Sequence, residues 1–288
     1  MNPLKYPLHV AVPTAFDENE TLDCQKTIAH MLHLQKQGIR SFLVCGSTGE
    51  QHSLSLSEKI CLVDALAAET RFSKDAELLF GVAAIRYQEA QLLAMHIAQT
   101  STIASIVLGF PPYICPTQSE AIAYAKGLIL AVKKPVILYN NPRRTGFDLS
   151  EESLYILAQN SHVVGLKEAG DFKRIPAIKP NLSDDFRMYA GGEQDLIKKV
   201  QLGFDGLSSM AGNLYPQEMI DCWQELSSTK NLDTETPAWI RLMAAAAGDP
   251  SQTVSYLPWL KAQLATQQAN FGHCRKPLGM TSLKGANQ

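Results

Sequence analysis

Lys167 closes the run Val163-Val164-Gly165-Leu166-Lys167, and that position offers a lysine chemistry that an exposed one lacks. The run is apolar on both faces, as strands of buried parallel sheets are. Burial strips water from an ammonium and disfavours its charged form, so the amine becomes neutral at lower pH. A neutral amine on a rigid strand end can attack a carbonyl carbon and form a Schiff base. A lysine that only reaches the end of its strand and points into water would do none of this, and most lysines are exposed. The partners have to decide between the two. Gly46-Ser47-Thr48-Gly49-Glu50 brings two hydroxyls and flexible backbone N–H groups beside a helix start, which suits an anion such as a carboxylate. No Gly-Lys-Ser/Thr follows, so it is not a nucleotide phosphate loop, and such residues also make ordinary turns. Tyr139-Asn140-Asn141-Pro142-Arg143-Arg144-Thr145-Gly146 ends another apolar run with a phenol, which can shuttle protons near a lysine. The arginines after it can clamp a carboxylate bidentately or simply stay solvated.

These residues need a frame that brings strand ends together. Short apolar runs end near 12, 45, 83, 108, 139, 167, 190 and 208, and most are followed by a helical pattern. Helices are expected over 23–37, 57–70, 87–100, 117–132, 150–159 and 193–202. The alternation implies a closed parallel (β/α)8 barrel, whose active site lies at the C-terminal ends of its strands. Lys167, Tyr139, Tyr113 and the Ser47-Thr48 pair all fall at such ends. After Pro216 only helices are expected, over 217–227, 237–247 and 252–270. The reading is a barrel over residues 1–225 and a helical C-terminal region over 226–288.

Composition excludes other classes. With 45% hydrophobic and 19% charged residues, the 288-residue chain is globular and can bury a large core. A net charge of −2 supplies no basic field for nucleic acid or an anionic membrane. The six cysteines are widely spaced with no C-x-x-C pair, which speaks for reduced thiols in the cytoplasm and against zinc or a disulfide framework. The first residues, Met1 to Pro7, carry no apolar signal segment, and no run approaches membrane-spanning length. His30 and His33, three apart on a helix, lack a carboxylate or thiol partner for a metal. Cys45 reads as a small buried residue, and His52 follows the loop without a defined role.

Gly46-Ser47-Thr48-Gly49-Glu50, Tyr139-Asn140-Asn141-Pro142 and Gly165-Leu166-Lys167-Glu168-Ala169 together resemble the dihydrodipicolinate synthase/N-acetylneuraminate lyase family of Schiff-base aldolases. They occur in the family's order, and the 28 residues from Tyr139 to Lys167 fit its usual interval. The resemblance extends from Phe16-Asp17-Glu18-Asn19 to Arg275-Lys276-Pro277-Leu278. It implies a TIM barrel with C-terminal helices, usually a homotetramer built from two tight dimers. It implies pyruvate or a longer 2-keto acid held as a Schiff base on Lys167, with its carboxylate on Ser47 and Thr48. Tyr139 would relay protons, Ser47 would be the middle member of the relay, and Tyr113 would reach in from a neighbouring subunit. No metal or organic cofactor is implied. A protonated imine is an electron sink, so C3 of pyruvate can lose a proton and attack an aldehyde as an enamine.

The second substrate is less well defined. Arg144-Thr145-Gly146 resembles the synthases, in which the arginine holds the carboxylate of aspartate semialdehyde; sialic-acid lyases carry an apolar segment there. Ser47, and polar groups at Glu193 and Ser208-Ser209, would instead suit an aldolase acting on a 2-keto-3-deoxy sugar acid or N-acetylneuraminate, and Gly192 is a further substrate-binding candidate. A barrel that only binds a keto acid is the non-enzymatic alternative, and it has no use for an amine on strand six. Synthases inhibited by lysine carry an asparagine, a histidine and a second aromatic where this chain has Ile85, Leu56 and Pro112, although Glu89 is kept. Strong feedback by lysine is therefore not expected.

Overall fold

The computed structural model describes residues 3–267 and 271–280. Eight parallel strands, β1 (Leu8–Ala11), β2 (Ser41–Val44), β3 (Glu77–Val82), β4 (Ile103–Gly109), β5 (Val136–Asn140), β6 (Val163–Glu168), β7 (Arg187–Ala190) and β8 (Gly206–Ser209), close into a barrel in sequence order. The barrel forms because every strand is buried on both faces. Ala11, Leu43, Leu79, Val107, Ile137, Val164 and Tyr189 fill its interior, and a larger cluster packs its outside against helices.

The helices follow the expected pattern: α1 (Cys24–Lys36), α2 (Leu56–Ala68), α3 (Tyr87–Ala98), α4 (Gln118–Val132), the single turn α5 (Pro142–Thr145), α6 (Glu151–Ala158), α7 (Ile175–Ile178) and α8 (Leu196–Gln201). Their starts are written locally. Ser55 with Glu58, and Thr117 with Glu120, form reciprocal capping boxes at α2 and α4.

Three stretches depart from expectation. Between β6 and β7, where no helix was expected, residues 172–181 make 3-10 turns flanking α7; Pro176 and Pro180 interrupt the apolar periodicity that would have revealed it. The helix after β7 begins at Leu196 rather than Glu193, because Gly192 (φ +108°) and Asp195 (φ +53°) are left-handed. The last helix begins at Tyr256 rather than Gln252. Asp249 accepts the N–H groups of Ser251, Thr253 and Val254, and Gln252 is left-handed, so that segment closes into a turn.

After the barrel come α9 (Pro216–Thr229), α10 (Pro237–Ala247) and α11 (Tyr256–Gln267); residue 225 lies within α9. The expected end of the last helix at Asn270 lies outside the described residues, as do the final residues of the expected C-terminal region. That region is fastened to the barrel by a buried ion pair. Lys261 on α11 places Nζ 2.6 Å from Oε1 of Glu50, the last residue of the Gly-Ser-Thr-Gly-Glu loop, and both side chains are at most 1% exposed. The same ammonium donates to the His273 carbonyl at 3.0 Å and lies 4.4 Å from the centroid of the Phe16 ring. The Arg275 N–H donates to the other oxygen of Glu50 at 3.1 Å, and the Arg275 guanidinium pairs with Glu58.

Candidate active site

Tyr139 and Lys167 sit side by side in the β5–β6 register. The Lys167 ammonium lies 4.5 Å from the centroid of the Tyr139 ring. Lys167 is 6% exposed, and burial pushes its pKa below the usual lysine value. Tyr139 and Glu193 oppose that shift, while the Arg144 charge adds to it. Burial alone would raise the Tyr139 phenol. The Lys167 charge, hydrogen bonds with Asn141 and Ser47, and Arg144 outweigh burial, so its pKa is lowered. The Asn141 amide donates to the phenol oxygen at 2.7 Å. An amine that gives up its proton more easily, beside a phenol that does the same, suits nucleophilic attack followed by proton relay.

The strand ends carrying this pair are clamped from behind. Asn140 and Glu168, the next register partners, are both fully buried. The Asn140 amide donates to Glu168 at 2.9 Å and to Asp148 at 2.7 Å, while Arg174 donates to Glu168 at 2.5 Å. The N–H of Gly170 closes the same carboxylate at 2.6 Å. This network fixes two adjacent strands at the level where Tyr139 meets Lys167.

The loop after β2 is held equally firmly. Cys45 (φ +55°) and Glu50 (φ +52°) bracket it in left-handed conformations, and Thr14 Oγ1 donates to the Gly49 carbonyl at 2.7 Å. A Cβ on Gly81 would stand 2.1 Å from the Cys45 carbonyl oxygen, so β3 can pass beneath the loop only without a side chain there. Cys45 itself is buried, which pushes its thiol up to about 12.

A cleft of about 440 Å³ opens over Tyr139, whose ring lies against the Lys167 ammonium. Ser47, Tyr139, Asn141 and Arg144 line it from the barrel, and Tyr256 and Leu257 from the first turn of α11 form another part of the wall. Of the residues expected at the site, the structure thus brings Lys167, Tyr139, Ser47 and Arg144 together, with Thr48 buried in the loop next to Ser47. His52 also lines the cleft. Tyr113 does not line it: it is 90% exposed on the loop after β4, with φ +74°. Glu193 and Ser208 are fully buried and are not part of the lining, nor is Gly192. One Glu193 oxygen accepts from Ser209 Oγ at 2.6 Å and from the Met210 and Ala211 N–H groups at 2.8 and 2.9 Å. His30 is packed: its Nε2 lies 2.9 Å from Asn213 Oδ1 and its ring stands edge-on to Phe271.

Asn141, Tyr256 and Leu257 at the site escaped sequence reasoning. Asn141 follows Tyr139 by two positions, and that spacing was its only signal. Tyr256 had none, because α11 reaches the cleft only through tertiary packing.

A family model described as the dihydrodipicolinate synthetase family matches residues 7–288. The chain belongs to that family. A 4-hydroxy-tetrahydrodipicolinate synthase from Lactobacillus acidophilus is 28% identical over 273 residues, which cover 94% of this chain and 86% of the relative. The crystal structure of a dihydrodipicolinate synthase from Acinetobacter baumannii, complexed with pyruvate, is 27% identical with a TM-score of 0.73, covering 84% of this chain and 81% of that one. A variant of the Sulfolobus solfataricus 2-keto-3-deoxygluconate aldolase is 21% identical with a TM-score of 0.79, covering 94% of this chain and 89% of that one. The dihydrodipicolinate synthetase family fold is therefore shared with a protein named for a different substrate, so the fold alone does not select the aldehyde. No helix among the described residues is long and apolar enough to cross a membrane.

Proposed function

We propose that the protein is a cytoplasmic 4-hydroxy-tetrahydrodipicolinate synthase that condenses pyruvate with aspartate semialdehyde. The observation that carries this reading is the buried Lys167 amine 4.5 Å from the Tyr139 ring, beneath a cleft that Arg144 lines. The neutral amine attacks C2 of pyruvate and water leaves, forming an imine whose carboxylate rests on the Ser47-Thr48 loop. Tyr139 and Ser47 carry the protons, and the imine draws the electrons released when C3 loses a proton. The enamine then attacks the aldehyde carbon, whose oxygen takes up a proton. Arg144 holds the aldehyde's own carboxylate, and the exposed Tyr113 completes the relay of a neighbouring subunit in a homotetramer.

The competing aldolase reading rests on polyol partners at Glu193 and Ser208-Ser209, and one Glu193 oxygen is already taken by Ser209, Met210 and Ala211. Assaying condensation with aspartate semialdehyde against cleavage of a 2-keto-3-deoxy sugar acid separates the two. Arg144→Ala is expected to lower kcat/KM for aspartate semialdehyde by roughly 10- to 100-fold, the cost of a lost charge-assisted contact, while pyruvate still forms its adduct. A variant with unchanged kinetics would remove the synthase assignment.

Regulation follows from the same comparison of residues. With Ile85, Leu56 and Pro112 at the positions read for the lysine site, free lysine up to low-millimolar concentration is expected to leave the rate unchanged. An inhibition curve with a midpoint in that range would show that other residues build the site.

A further inference from the structure

Outside the cleft, two thiols stand together. Cys24 is the first residue of α1 and Cys61 lies on the neighbouring α2, with their Sγ atoms 3.9 Å apart. Cys61 is exposed and Cys24 is half-buried. Cys45, Cys222 and Cys274 are buried, and the exposed Cys115 has its Sγ directed at the Thr145 carbonyl. A disulfide needs the sulfurs at about 2.05 Å, roughly 2 Å closer than they stand, which side-chain rotation on two adjacent helices can supply.

We propose that Cys24 and Cys61 are a reversible oxidation site, closed to a disulfide by hydrogen peroxide. The exposed Cys61 attacks the peroxide, breaking the O–O bond to give a sulfenic acid and water. The Cys24 sulfur then attacks the Cys61 sulfur, and the sulfenic oxygen leaves as a second water. Two thiols are oxidised by two electrons and one peroxide is reduced. Burial, and next the neighbouring Cys61, push the Cys24 thiol up to about 12, so Cys61 reacts first and Cys24 resolves. The bridge would join residues 37 positions apart and enclose the Gly46–Glu50 loop within the closed segment. It would act as a staple on the outside of the barrel, independent of the reaction proposed for Lys167.

The test uses the full chain carrying Cys115→Ser, which removes the other exposed thiol. Treatment with hydrogen peroxide followed by non-reducing digestion and mass spectrometry is expected to give one cross-linked peptide pair, Cys24 with Cys61. Dithiothreitol should reverse it, and Cys61→Ser should abolish it. The closed form should unfold at a midpoint roughly 10 °C higher, as expected for a loop of this length. Sulfinic acid on Cys61 with Cys24 still free, or no cross-link in folded protein, overturns the proposal. A cross-link that leaves the unfolding midpoint unmoved overturns the staple. Adduct formation on Lys167, measured on the same samples, reports separately on the proposed function.

Discussion

Incubated with pyruvate and borohydride, the protein is expected to gain one reduced pyruvyl group, and peptide mapping should place it on Lys167. Lys167→Ala should gain none and should lose about 10⁴-fold or more in turnover, because the step that makes the electron sink disappears with the amine. The folded state of the variant can be verified independently by its unfolding transition. The pH dependence has a definite sign. Only the neutral amine attacks, and burial lowers the Lys167 pKa, so the trapping rate should rise with pH and level off below the ordinary lysine value of 10.5. A rate still climbing through that value would mean a solvated lysine, and an adduct on any other lysine would displace Lys167 from its role.

The second large effect lies at the fastening of the C-terminal helices. Lys261→Met leaves the Glu50 carboxylate buried without its cation, and breaking a buried pair on one side costs about 3–5 kcal/mol. The thermal midpoint should fall by roughly 10 °C. Adding Glu50→Gln keeps an acceptor for the Arg275 N–H while removing the stranded charge, so the double variant should recover much of the loss. Thermal unfolding of the four proteins closes the cycle. A single variant as stable as the parent would show that the pair does not hold α11 in place.

The barrel was legible because its eight strands are buried on both faces and read as short apolar runs between helical patterns. Lys167 and Tyr139 were legible because strand ends are where such a barrel gathers its side chains. The stretch between β6 and β7 was not, since Pro176 and Pro180 erase a helical period. Glu193 shows a different limit. One of its oxygens accepts from Ser209, Met210 and Ala211, a backbone role that its polarity did not announce, while the other, Oε2, is buried with no partner among the described residues. The reach of α11 was hidden for a third reason. Nothing in the local pattern around Tyr256 or Lys261 refers to a loop near residue 50, and only packing brings them together.

That packing divides labour between two kinds of heritable change. The amine and the phenol are written on barrel strands, locked by Asn140 and Glu168, where almost any substitution disturbs the core. Tyr256 and Leu257 are written on a helix outside the β/α repeat, in its first turn, and they line the cleft. On the proposed reading, drift at the start of α11 exchanges one aldehyde for another while the keto-acid chemistry on Lys167 stays fixed. Lys261, a little over one turn further along, limits how far that drift can tilt the helix.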